Sequence, residues 1–157
     1  MQKIKNIKLA QMNVLKDMNA LFHTIREHSK SEVYDLGDGL YRMRRVRSAV
    51  YEDLNQIQHE YLILQGMIWL RANDYEDPNI DWYWNPRQTG TSTEPDLRGI
   101  LDTEIVVSAE ASTSEEPQGK IDSRMRDTLT KLNKMVGQMC VFAPKFEPKS
   151  VYVCTRN

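Results

Sequence analysis

At 157 residues the chain has the length of one domain, long enough to bury close to 70% of the surface that its unfolded form exposes. Hydrophobic residues at 40% and charged ones at 27%, with 7 Gly and 6 Pro, exclude a collagen-like or wholly disordered polymer. The formal net charge of −1 is unevenly spread: ten Lys/Arg stand against five Asp/Glu in residues 1–50, three against fourteen in 51–119, and eight against three in 120–157. An acidic middle between basic flanks suits a divalent cation at the centre and a polyanion at the edges, and equally a surface with neither role. The longest charge-free apolar run, Tyr61 to Leu70, falls well short of the roughly 20 residues a membrane-spanning helix needs. The N-terminus lacks the apolar stretch and small-residue cleavage site of a secretory signal, so no membrane partner and a cytoplasmic location are expected. Cys140 and Cys154 lack CxxC spacing, so a disulfide framework or a Cys-rich zinc site is not expected.

From Lys3 to His28, Ile4, Ile7, Met12, Leu15, Met18, Leu21, Phe22 and Ile25 recur at three- and four-residue steps with no Gly or Pro, which predicts an amphipathic helix. Its heptad stripe is short for a coiled coil, so it is expected to pack on the chain's own core, with a homodimer through this N-terminal helix as the alternative. SKSEVYDLGDG, residues 29–39, has turn composition. A second helix is predicted from about Arg44 to Arg71, although Leu40 to Val46 also reads as a short strand. Arg42, Arg44, Arg45 and Arg47 at its start form either a phosphate-contacting cluster or a solvated helix end.

Beyond Arg71 the pattern changes to strands: Ile80–Trp84, Asp96–Leu101 and Thr103–Ala111, with a turn near Gly99 or Asp102. Trp82, Tyr83 and Trp84 could stack on bases, but a core strand is the commoner use of such a trio. STSEEPQG, residues 112–119, reads as loop, and helical spacing returns over Ile121–Val136. Pro144 and Pro148 bracket a loop before a final strand, Ser150–Thr155. The expected fold class is α/β, a mixed sheet flanked by helices, with residues 1–40 as an N-terminal helix and turn and 41–157 as the core. The strand, helix, strand ending predicts that Thr103–Ala111 and Val151–Thr155 lie parallel in one sheet with the Ile121–Val136 helix packed across it.

The chemistry-bearing residues lie in the acidic middle. Asp96 opens one predicted strand directly after Pro95, and Glu110 closes the next, so neighbouring strands would bring both carboxylates to one end of the sheet. Oxygen ligands there, completed by water, are what Mg²⁺ or Mn²⁺ requires if it is to bind a phosphate as well. Glu60, on the helix before the sheet and beside His59, is a third candidate ligand. The histidines lack HExxH spacing, and neither a GxxxxGK[ST] nor a GxGxxG loop is present.

The order helix, three strands, helix, strand, with Pro95-Asp96 and then Glu110-Ala111-Ser112, resembles the PD-(D/E)XK nuclease superfamily, the restriction-endonuclease-like fold. The resemblance spans roughly Val46 to Asn157. It implies DNA as partner, a divalent cation as cofactor, and metal binding by Asp96, Glu110 and Glu60. The chain departs from the family at Ser112, where the motif carries a lysine that stabilises developing negative charge. Lys120, in the first turn after the loop, is the nearest replacement and is taken as the catalytic lysine beside Asp96 and Glu110. Lys131, three turns farther along, is a poorer candidate. Family members commonly continue into a further helix and strand, which would make this chain a minimal or partial member. The functional expectation is metal-dependent phosphodiester hydrolysis on DNA. A catalytically degenerate domain that binds nucleic acid or protein is the alternative, and a helical interaction module with accidental strand-end acids is a third reading.

Overall fold

A computed structural model describes residues 1–73, 75–87, 93–113, 120–143 and 151–155, and leaves out the side chains of 120–125, 138, 142–143 and 151–155. The described elements are β1 (Gln2–Lys3), α1 (Ile7–His28), α2 (Leu36–Asn73), β2 (Asp81–Trp84), β3 (Leu97–Leu101), β4 (Glu104–Ala111), α3 (Lys120–Leu132), β5 (Gln138–Ala143) and β6 (Val151–Thr155). The chain is therefore α/β with a mixed sheet. Its strands lie in the order β1-β2-β3-β4-β5-β6, antiparallel throughout except for the parallel pair β4–β5.

Asn6 caps α1, its Oδ1 accepting from Leu9 N at 3.1 Å. Asp35 does the same for α2, accepting from Asp38 N at 2.8 Å. Because of that cap, Gly37 and Gly39 fall inside the first turn of α2, and Leu40–Val46 is helix rather than strand. The helix thus begins eight residues earlier than the apolar spacing alone predicts.

Ala10, Val14 and Leu21 of α1 and Ile57, Ile63, Leu64, Met67 and Leu70 of α2 share one core with Trp82, Trp84, Leu97, Val107, Ala109 and Cys140 of the sheet. Burying side chains of this size is worth about 1.5–3 kcal/mol each. Residue 40 is accordingly no boundary of the core: α1 is built into it, and β1 extends the sheet by pairing Gln2 with Trp84 and Lys3 with Tyr83. Both tryptophans are core residues, which removes the stacking platform considered for the trio.

β3 and β4 are joined by a two-residue hairpin at Asp102–Thr103, with φ of 47° and 78° and Leu101 paired to Glu104. Two successive positive φ values match the twist of the flanking strands.

The end of the chain departs from expectation. The strand parallel to β4 is β5, Gln138–Ala143, which the sequence reading did not assign; β6 returns antiparallel to β5 and so runs antiparallel to β4. A continuous apolar run such as MCVFA lacks the alternation that marks a half-exposed strand, and buried parallel strands read this way. α3 ends at Leu132, short of Val136. Among its described side chains Leu132, in the last turn, is buried. The Pro144–Pro148 loop and most of the 112–119 loop lie outside the described residues.

The passage from α3 into β5 turns on Gly137, at φ 90°, where an added Cβ would stand 2.8 Å from Ile105 O and Val106 C of β4. Strained φ and overlap with backbone should together cost about 2–4 kcal/mol. Gly137→Ala should lower the urea midpoint accordingly; a loss within about 0.5 kcal/mol of wild type would show that β5 does not depend on this close approach.

Candidate functional site

In β3 and β4 the pairs Leu97–Ala109 and Arg98–Ser108 stand opposite each other. One further step of the same register sets Asp96 opposite Glu110. The side chains of opposed residues share a face, and like charges there repel. Both are nearly dry, at 5% and 7% exposure. The two acids picked from the sequence therefore do converge at one end of the sheet.

Asp96 is held from several sides. Asn85, just past β2, donates its backbone N–H to Asp96 O at 3.0 Å and its Nδ2 to Pro95 O at 3.0 Å, which ties down the turn into β3. Ala111 N donates to Asp96 Oδ2 at 2.8 Å, and His59 Nε2 of α2 lies 3.0 Å from the same oxygen. Both contacts use Oδ2, which leaves Oδ1 as the oxygen available to a ligand. Burial pulls the His59 pKa down, but the bond to Asp96 and the charges of Asp96, Glu110 and Glu60 outweigh it, so His59 holds a proton more firmly than usual.

Glu110 is the strained member. Burial and the charge of Asp96 push its pKa from the ordinary 4.5 to about 7, against the opposing pull of Lys131 and His59. Lys131 Nζ stands 2.5 Å from Glu110 Oε1, an ion pair without hydrogen-bond alignment, and donates to Glu94 O at 2.7 Å. The lysine that the described structure brings to the carboxylates is thus Lys131, the candidate the sequence ranked lower. Lys120 opens α3, and its side chain lies outside the described residues. Lys131 lies on the last turn of α3, beside the buried Leu132.

Glu60 is buried on α2 but is otherwise engaged. Its Oε1 accepts from Arg87 N at 3.1 Å and lies 3.9 Å from Arg87 Nε, while Arg87 also pairs with Asp17 at 2.9 Å and Asp53 at 2.7 Å. Burial raises the Glu60 pKa, and Arg87 lowers it. This network ties α1, α2 and the segment after β2 together. Among the described residues no group of three or more His, Cys, Asp or Glu is arranged to hold a metal. The fit to a divalent cation therefore rests on two buried carboxylates that repel each other, a donor set suited to Mg²⁺ when water and substrate complete its shell.

Comparison with protein-family models, with curated proteins and with solved structures finds no match to this chain.

The raised pKa values make stability depend on pH. Glu110 binds its proton more tightly folded than unfolded, so between about pH 4.5 and 7 stability falls as pH rises. The His59 contribution is complete below its ordinary 6.5 and is lost as pH rises through its higher folded value, in the same direction. Glu110→Gln should match wild type near pH 4 and exceed it at pH 8 by an amount on the order of 3 kcal/mol, since every tenfold gain in proton affinity on folding corresponds to about 1.4 kcal/mol. Denaturant titrations of both proteins across this range check it, and a wild type that gains stability from pH 5 to 7.5 contradicts it.

Proposed function

We propose that this domain hydrolyses phosphodiester bonds in DNA with a divalent cation, in the manner of the PD-(D/E)XK nucleases, using Asp96 and Glu110 as the acidic pair and Lys131 as the lysine that Ser112 does not supply. One observation carries the reading: two buried carboxylates face each other across β3 and β4 with a lysine ammonium on one of them. The run α2, β2, β3, β4, α3, β5 supports it, because it follows the order that drew the resemblance, with β5 rather than Val151–Thr155 as the closing parallel strand.

Each residue then has a task. Asp96, fixed through Oδ2 by His59 and Ala111 N, offers Oδ1, and Glu110 offers the opposing oxygens. A divalent cation held by these carboxylates would neutralise charge on the scissile phosphate and lower the pKa of water. Lys131, released from Glu110 as that carboxylate takes another partner, stays tethered to Glu94 O and presents its ammonium to the phosphate oxygens. Glu60 serves as the anchor of Arg87.

A second reading keeps the fold and drops the chemistry. It is favoured by Ser112 and by the fact that His59 and Lys131 already balance the two acids. Mg²⁺-dependent cleavage of plasmid and single-stranded DNA separates the two. Wild type should cut, Asp96→Asn should not, and Lys131→Met should lose roughly 10²–10³ in rate, the usual worth of one preorganised electrostatic contact. Lys120→Ala should cut normally; the reverse pattern would transfer the role to Lys120, and Ser112→Lys should then add little. Folded wild type that neither cuts nor gives heat on titration with Mn²⁺ would leave the binding module.

A further inference from the structure

The two faces of the sheet differ in what covers them. Trp82, Trp84 and Leu97 are buried in the core shared with α1 and α2, while Asp81, Tyr83, Arg98 and Ile100, which alternate with them along β2 and β3, remain partly open to solvent on the other face. Asp96 and Glu110 belong to that second face, because side chains two apart on a strand point the same way and opposed residues share a face. Arg98 follows Asp96 by two residues on β3 and stands opposite Tyr83 of β2 and Ser108 of β4.

The charges around Arg98 are paired: Asp81 with Lys3, Asp96 with His59, Glu110 with Lys131, and Glu94 with the amino group of Met1. Arg98 is different. Among the described residues it makes no ion pair, and its Nε is closed off from solvent without a hydrogen-bond partner. A buried donor left unsatisfied costs its full desolvation, so an apolar side chain of similar shape would serve the fold at least as well. Glu94, two residues before Asp96, has its pKa lowered by its hydrogen bonds from the Met1 amino group and Asn85 and, more weakly, by the charge of Arg98, so the field of the guanidinium reaches the acidic end of the sheet.

We propose that Arg98 binds the phosphate next to the one that is cut, and so lays the DNA strand across the open part of this face, over β3 and β2. The inference rests on the nuclease reading above and extends it from the reacting phosphate to its neighbour. β3 rises about 6.8 Å between Asp96 and Arg98, so a diester anchored at the acidic pair brings its neighbouring phosphate within reach of a side chain as long as arginine. A guanidinium suits that task, being always charged and able to offer two parallel N–H donors to one phosphate. The phosphate in turn gives Arg98 the anionic partner that the protein does not. Lys131 and Arg98 thereby divide the work: one attends the reacting phosphate, the other fixes where the strand lies.

Two substitutions test it: Arg98→Met, which keeps an unbranched apolar stem and removes the charge, and Arg98→Lys, which keeps the charge. Because the Arg98 Nε is unsatisfied in the free protein, Arg98→Met should unfold in urea at or above the wild-type midpoint, as the loss of a purely structural residue would not. The same variant should bind a fluorescein-labelled DNA duplex at least ~10-fold more weakly by anisotropy, with Ca²⁺ in place of Mg²⁺. Its slope of log affinity against log salt should be shallower by about 0.9, the share of one phosphate. In Mg²⁺-dependent cleavage KM should rise by a similar factor while kcat stays within about twofold, since a contact to the neighbouring phosphate holds ground state and transition state alike. Arg98→Lys should restore the salt slope and part of the affinity. Wild-type affinity and slope in Arg98→Met, in a protein that still cuts, overturn the assignment and leave the nuclease reading standing. Loss of stability together with binding in Arg98→Met, with no recovery in Arg98→Lys, also overturns it and makes Arg98 a structural residue. Folded wild type that neither binds the duplex nor cuts it overturns the nuclease reading, and this inference with it.

Discussion

Two acids opposed on neighbouring strands, in a place that water barely reaches, are not an arrangement a sheet adopts for stability. Asp96 and Glu110 hold it because other elements are built around them. Leu97 and Ala109, the next pair along, are fully buried and lock the register that sets the acids opposite each other. Asn85 grips the backbone of Pro95 and Asp96, His59 comes across from α2, and Lys131 arrives on the last turn of α3. If the register slipped by one residue, Leu97 and Ala109 would exchange faces with Asp96 and Glu110, and core and site would fail together.

α2 links these two parts. Its C-terminal half carries Ile63, Leu64, Met67 and Leu70 into the core, and just before them His59 reaches Asp96 at the sheet's acidic end. Adjacent residues on one helix here serve different ends, since His59 joins Asp96 while Glu60 is taken by Arg87. Arg87 also binds Asp17 of α1 and Asp53 of α2, so part of the acidic middle is structural. Only Glu60 of this network is buried, while Arg87, Asp17 and Asp53 are each more than a third exposed, so it positions the elements more than it stabilises them. It fixes α2 over the strand ends, where His59 has to lie.

The legibility of these features in the sequence follows from the range of the interactions behind them. Asp96 and Glu110 were readable because strand ends are local: Pro95 before one, a β-branched run before the other, and a short hairpin between. Most helices and strands were readable for the same reason, but not the inner face of α1: Ala10 and Val14 are buried, whereas Met12, Leu15 and Phe22 of the expected stripe are exposed. Lys131 was not, because its ion pair with Glu110 depends on how α3 lies on the sheet, and a helix pattern carries no information about that. β1 has two residues and no pattern at all, and β5 is an uninterrupted apolar run whose partner chooses its state. The start of α2 was misjudged because two glycines outweighed a cap whose hydrogen bond, from Asp38 N to Asp35, is visible only in three dimensions. The PD-(D/E)XK resemblance concentrated attention on the position after Ala111, while the ammonium reaches Glu110 from elsewhere.

The charge balance of the site decides what it can exchange. Beside Asp96, Glu110 has two ways to satisfy its burial: a proton, held up to about pH 7, or the Lys131 ammonium. On the proposed function a divalent cation at this pair would be a third: it would compete with both, so its uptake would displace a proton, an ammonium, or each in part, and its apparent affinity would rise with pH. The same displacement would free Lys131, which is also held by Glu94 O. Residue 112 is serine, and the ammonium that balances Glu110 in this structure comes instead from Lys131 of α3.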